Sequence, residues 1–192
     1  MKKNLLLTLV ACANLLLIIV SCNEQKINTE PIEKYTPEQL IKRGEYLVNV
    51  IACDDCHTPK TGDFEFDFER RLSGHPADEP VGKIDTTLMK NYMAFNPGFT
   101  SAVGPWGVSF AANLTSDETG IGNWTEERFF KAIREGKSKG LDDTRPLLPP
   151  MPWFIYKNLS DEDLRAIFAF LKSTKPIHNV VPAPKSLADV QQ

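Results

Sequence analysis

Two stretches of this chain repeat apolar residues at helical spacing behind a capping signal. In the first, Leu40, Ile41, Gly44, Leu47, Val48 and Ile51 follow Thr36-Pro37-Glu38-Gln39. There a threonine can cap, a proline suits the first helical position, and a glutamine stands three residues after the cap. In the second, Leu164, Ile167, Phe168, Phe170 and Leu171 follow Ser160-Asp161-Glu162-Asp163, whose acids suit the positive end of a helix. A third helix is expected after Thr125, carrying Phe129, Phe130 and Ile133 and ending at Gly136. Gly44, lacking a side chain, would let the first and last helices cross closely. The pattern predicts an all-α domain of three or more helices over residues 36–175.

Between these helices the signal fades. Residues 58–110 form a stretch too long for an ordinary connection and read as an irregular insertion. Within it Phe64, Phe66 and Phe68 alternate with Glu65, Asp67 and Glu69, which fits a short strand or hairpin arm, or three aromatics laid out by a loop. Asp117-Glu118-Thr119-Gly120 reads as a turn rather than a calcium loop, whose ligand spacing it lacks. The segment 176–192, rich in proline and polar residues, reads as a loosely packed tail.

The N-terminus has a pattern of its own. Lys2 and Lys3 precede a 16-residue apolar run, Leu5 to Val20, broken only by Thr8 and Asn14. That is shorter than the roughly 20 residues of a comfortable membrane span, so residues 1–21 read as an export signal. Ile19-Val20-Ser21-Cys22 resembles a bacterial lipobox, which makes Cys22 the expected lipidation site. An ordinary signal peptide or a short anchor helix is the alternative. Residues 22–35, polar and without helical period, read as a tether. In each version the domain lies outside the cytoplasm, most simply on the periplasmic side of a bacterial membrane.

The chain has 192 residues and a formal charge of −3. Loss of residues 1–21 removes two lysines and no acid and makes the charge −5. Neither value calls for a nucleic-acid partner; an acidic domain suits a protein partner with a basic docking face.

Of four cysteines, Cys12 lies in the apolar run and Cys22 is expected to carry lipid, which leaves Cys53 and Cys56 in Cys53-Asp54-Asp55-Cys56-His57. A thioredoxin-type redox pair usually opens a helix after a strand, and no strand pattern precedes this one. A zinc site would need two further soft ligands. Covalent attachment of a c-type haem also explains the histidine after the second cysteine. Two thiols three positions apart lie on one side of a helical turn and can add to one porphyrin edge, while His57 turns its imidazole to the iron.

A methionine thioether is the usual opposite ligand in electron-carrying haems. Met151 stands in Pro149-Pro150-Met151-Pro152, where three prolines stiffen a non-helical loop. Met89 and Met93, four apart, read more simply as packing. His75, His178 or an open site complete the alternatives.

On these residues the chain resembles the class I cytochromes c over about residues 36–174. The likeness rests on Gly44 in the capped helix, Cys53 to His57, proline-flanked Met151, and Ile167 and Phe170-Leu171 in the last helix. The resemblance implies a cytochrome c fold in which the Gly44 helix packs on the aromatic of the last helix. It also implies one haem c on Cys53 and Cys56, ligated by His57 and Met151. Gly104-Pro105-Trp106-Gly107, Asn113-Leu114-Thr115, the run from Thr119 to Thr125, and Pro150-Met151-Pro152 look like cytochrome subunits of membrane-bound dehydrogenases. In such proteins a mid-chain indole often faces the haem propionates, which makes Trp106 and Trp124 candidates. Those subunits typically carry two or three CxxCH motifs, and this chain has one. The expectation is an electron carrier rather than an enzyme, with redox proteins as partners. A subunit held in a dehydrogenase or oxidase complex and a gas sensor with an open sixth site are the rivals.

Overall fold

The structure, a computed structural model, describes residues 35–191; the predicted export signal, the lipidation site Cys22 and most of the tether lie outside them. Helix α1 (Pro37–Val50) begins as the sequence predicts: the Thr36 hydroxyl accepts from the Gln39 amide, and the Gln39 side chain accepts from the Thr36 amide. The chain then passes through Ala52 in a left-handed conformation, at φ 61°, into the short helix α2 (Cys53–His57). Helix α3 (Glu126–Glu135) is capped by Thr125 and stops at left-handed Gly136. Helices α4 (Trp153–Tyr156), α5 (Asp161–Ser173, capped by Ser160) and α6 (Leu187–Val190) follow.

The main core lies where α1 crosses α5. Leu47 and Val48 of α1 pack with Leu164, Ala166, Ile167, Phe170 and Leu171 of α5, and with Leu72, Ile121, Phe129 and Ile133. A Cβ at Gly44 would stand 1.9 Å from the Ala166 carbonyl oxygen and 2.7 Å from the Phe170 Cβ, so only glycine permits this approach. The crossing is closed from the side by an ion pair, Arg43 to Asp163 at 2.9 Å.

The fold is not all-α. Strands β1 (Ala94–Phe95), β2 (Ser101–Gly104) and β3 (Gly107–Phe110) form an antiparallel sheet in the order β1-β2-β3, with Ala94 opposite Val103 and Gly104 opposite Gly107. Single residues of the flanking chain add to it, for Lys185 pairs with Val108 on the free edge of β3. A second core of Met89, Val103, Val108 and Val190 lies on this sheet. The alternating Phe64-to-Glu69 segment is not a strand. It forms two 3-10 turns, Gly62–Phe64 and Phe68–Arg70, around a single bridge between Lys60 and Phe66.

The tail is also tighter than its composition suggests. Asn179 donates to the carbonyls of Ser73 and His75 at 2.7 and 2.8 Å, and Val190 is buried. Proline and polar residues prevent helix here without preventing packing, because the tail's polar groups pair with the backbone of the body. Among the described residues no helix is long and apolar enough to cross a membrane.

Candidate haem-attachment site

Helix α2 carries Cys53, Cys56 and His57 in a single turn held from three sides. Towards α1, the nearly buried Asp54 carboxylate accepts from Arg71 Nη2 at 2.8 Å and from Thr58 Oγ1 at 2.6 Å. Arg71 in turn donates to Asn49 Oδ1 of α1 at 2.6 Å. Burial alone pushes the Asp54 carboxyl up, but the hydrogen bonds from Arg71 and Thr58 and the guanidinium charge outweigh it and leave it below the usual carboxylate range. Towards the insertion, the His57 carbonyl accepts from the Gly74 amide at 2.8 Å.

The third side fixes the imidazole. His57 Nδ1 lies 2.7 Å from the Ala112 carbonyl oxygen. A carbonyl only accepts, so Nδ1 carries the proton and Nε2 keeps its lone pair. Burial lowers the His57 pKa, the Ala112 bond only partly opposing it, so the neutral ligating form is favoured. A donor N–H bonded to a carbonyl is the usual outer-shell arrangement of a ligating histidine.

The Ala112 carbonyl is itself held in register. The His75 amide donates to the Ala111 carbonyl at 2.9 Å, and the Leu114 amide donates to Leu72 at 2.8 Å, so residues 72–75 run alongside 111–114. Gly74 makes this possible. Its φ is +80°, and a Cβ there would come within 2.6 Å of the Ala111 carbonyl oxygen and the Ala112 carbonyl carbon. The adjacent Asn113 is buried with all its polar capacity used. Its Oδ1 accepts from Thr115, and its Nδ2 donates to Thr119 Oγ1 at 3.0 Å and to the Ile177 carbonyl at 2.8 Å. The Asn113-Leu114-Thr115 motif thus locks the segment behind His57 to the tail.

Cys53 and Cys56 are both free and half-buried. Burial, with the neighbouring Asp54, pushes the Cys53 thiol up to about 12, and burial raises Cys56 as well. Thiols so protonated are poor redox nucleophiles, which argues against a thioredoxin-type pair. Tyr156, pushed up to about 12 by the same burial, donates its hydroxyl to the Ile51 carbonyl at 2.7 Å and braces the approach to the turn.

The donor set and its surroundings fit a c-type haem. Two thiols and an imidazole with Nε2 free share one turn, and Cys53, Leu114, Trp124, Phe130, Met151 and Tyr156 are partly buried side chains packed on the main core. Met151 therefore packs on the same core as Cys53. Met89 instead belongs to the second core, Met93 is exposed, and the exposed His178 faces Asp117 at 3.6 Å. His75 is buried, with Nδ1 2.9 Å from Thr100 Oγ1 and its ring 4.8 Å from that of Phe110. Trp124 packs on the main core beneath the Arg128 guanidinium, 4.7 Å away. Trp106, in the β2–β3 turn, donates from Nε1 to Ser109 Oγ, which donates to the Pro149 carbonyl two residues before Met151 at 2.6 Å. Sequence reasoning missed Ala112, Arg71 and Gly74; of the three, only Gly74 leaves a mark, a glycine before His75-Pro76.

No family model matches the chain. It is 38% identical over 145 residues to a nicotinate dehydrogenase component of Pseudomonas putida, covering 75% of this chain and 9% of the relative. It is 34% identical over 142 residues to the cytochrome c subunit of the quinone alcohol dehydrogenase of Gluconobacter oxydans, covering 73% of this chain and 23% of the relative. It is 30% identical over 153 residues to the gluconate 2-dehydrogenase cytochrome c subunit of Pantoea cypripedii, covering 79% of this chain and 26% of the relative. The chain spans about a quarter or less of the length of these relatives. Over some three quarters of its own length, then, this chain is a relative of the cytochrome c subunits of dehydrogenases.

Proposed function

We propose that this protein passes single electrons through one haem c, which Cys53 and Cys56 would hold covalently and which His57 and Met151 would ligate. The observation that carries this reading is the 2.7 Å contact from His57 Nδ1 to the Ala112 carbonyl, which frees Nε2 beside two reduced thiols. The haem supplies the one-electron couple; the chain supplies attachment, ligation and exclusion of water. Cys53 and Cys56 would hold the haem to α2. His57, neutral and held by Ala112, is ready to ligate without losing a proton. Met151, half-buried against the core behind two prolines, offers a soft ligand that raises the reduction potential. No general acid, base or nucleophile is required, so the chain by itself is a carrier and not an enzyme.

The relatives' names support a partner among dehydrogenase subunits, as a held subunit or as a shuttle that docks reversibly. The acidic charge of the chain suits a basic face on that partner. The lipobox-like Ile19 to Cys22 supports a domain tethered by residues 22–35 to the outer side of a bacterial cytoplasmic membrane or to the outer membrane.

Met151→Ala tests the ligand set. The variant is expected to show a lower reduction potential, an altered visible spectrum and binding of carbon monoxide to the ferrous form, whereas the native protein is expected not to bind it under mild conditions. A visible spectrum identical to that of the native protein contradicts the assignment of Met151.

A further inference from the structure

The Lys60 side chain turns back onto the C-terminal end of α2. Its Nζ donates to the carbonyls of Asp54 at 3.4 Å, Asp55, and Thr58 at 3.0 Å. Three carbonyl acceptors match the three N–H donors of an ammonium, where a neutral amine has two. Carbonyls at the end of a helical turn also carry the negative end of its dipole, which favours a cation there.

The cation is held rather than floating. The Asp67 amide donates to Pro59 at 2.9 Å and the Thr61 amide to Glu65 at 2.8 Å, closing a small loop that lays the Phe66 ring over Nζ at 4.6 Å. The half-buried ammonium is thus shielded on the side away from α2. Of the carboxylates nearest to it, Asp54 is taken up by Arg71 and Thr58, and Asp55 is exposed to solvent, which screens it. Burial draws the Lys60 pKa down, while Cys56, Asp55 and Asp54 draw it back up. The same positive charge acts on both Cys56 and His57.

We infer that Lys60 sets the reduction potential of the haem: its ammonium, fixed on the carbonyls of the haem-bearing turn and roofed by Phe66, favours the ferrous over the ferric state. This rests on the reading of the site as a haem c. Uptake of one electron lowers the positive charge on the iron by one, with no bond made or broken and no proton taken up, so a nearby fixed cation stabilises the reduced form. Lys60 is a positioning and tuning residue, and it does not touch the iron.

The test is an equilibrium redox titration of the haem-loaded protein with soluble mediators, for the native chain and Lys60→Gln, Lys60→Met and Lys60→Arg. Lys60→Gln and Lys60→Met are expected to lower the midpoint potential with visible spectra unchanged, and Lys60→Arg to restore it. A native potential in Lys60→Gln, or a potential in Lys60→Arg as low as in Lys60→Gln, overturns the inference, the latter by making Lys60 a cap and not a charge. If neither neutral variant yields haem-loaded protein, Phe66→Ala carries the test. It leaves the lysine hydrogen bonds intact and admits water, so it should lower the potential by a smaller shift; no shift overturns the inference. Protein without covalent haem in the native chain would instead defeat the underlying functional reading.

Discussion

The α1–α5 crossing and the insertion with its tail are held together by different means. At the crossing, apolar side chains at helical spacing bury one another, and only Gly44 and the Arg43–Asp163 pair depart from that rule. Across the insertion and the tail, Met89, Val103, Val108 and Val190 make a small core, and much of the order comes from side chains bonded to backbone: Asn113 to Ile177, Asn179 to Ser73 and His75, Asn96 to Ser101. The difference separates two tasks. Burial fixes where the helices lie, and polar bonds fix the direction of single carbonyls, including the one that holds His57.

Gly44→Val strikes the crossing hardest. Its side chain would drive into the Ala166 carbonyl, and overpacking of this kind costs about 3 kcal/mol. Denaturant unfolding should show a large drop in midpoint; an unchanged midpoint would mean that α1 and α5 are not in this contact.

Arg71→Ala ranks next, at about 2 kcal/mol, because it strands the Asp54 carboxylate against α1. The pH dependence sharpens this. The folded Asp54 pKa is depressed, so the stabilisation is fully present above the unfolded carboxylate value of about 4 and is lost as pH falls through the lower folded value. Stability measured against pH should therefore fall on the acid side, and Asp54→Asn should flatten part of that fall. An acid limb identical in Asp54→Asn and the native protein would remove Asp54 from this role.

Val190→Ala is the mildest change, at about 1.5 kcal/mol for two buried methyl groups. It should lower stability while the haem spectrum stays native. A changed spectrum would show that the second core and the iron site are coupled, against the division of tasks drawn here.

The same division explains what the sequence made legible. Thr36, Pro37 and Gln39, Ser160, and Thr125 with Gly136 announce three helices, since caps and apolar period are local signals. Cys53, Cys56 and His57 stand out in the sequence as a group because three positions separate the thiols, and the structure puts all three on one short helix. The sheet was not, because β1 has two residues and β2 and β3 four each, too few to display a period against their glycines. The Phe64-to-Glu69 alternation left a strand and a loop equally open, and the loop is what forms: period two without a partner strand gave turns and exposed rings. Ala112 was invisible because its backbone carbonyl acts, and any side chain could stand there. Arg71 was hidden by the 17 residues that separate it from Asp54.

The presence of the haem and its ligands is read together by visible absorption of the purified protein, oxidised and then reduced with dithionite, beside its mass after denaturation. Haem c on Cys53 and Cys56 with His57 and Met151 as ligands should give the sharp paired bands of a reduced low-spin c-type haem and a mass raised by one haem that acid–acetone does not extract. A colourless protein of unmodified polypeptide mass, or one in which Cys53 and Cys56 form a disulfide, would contradict it.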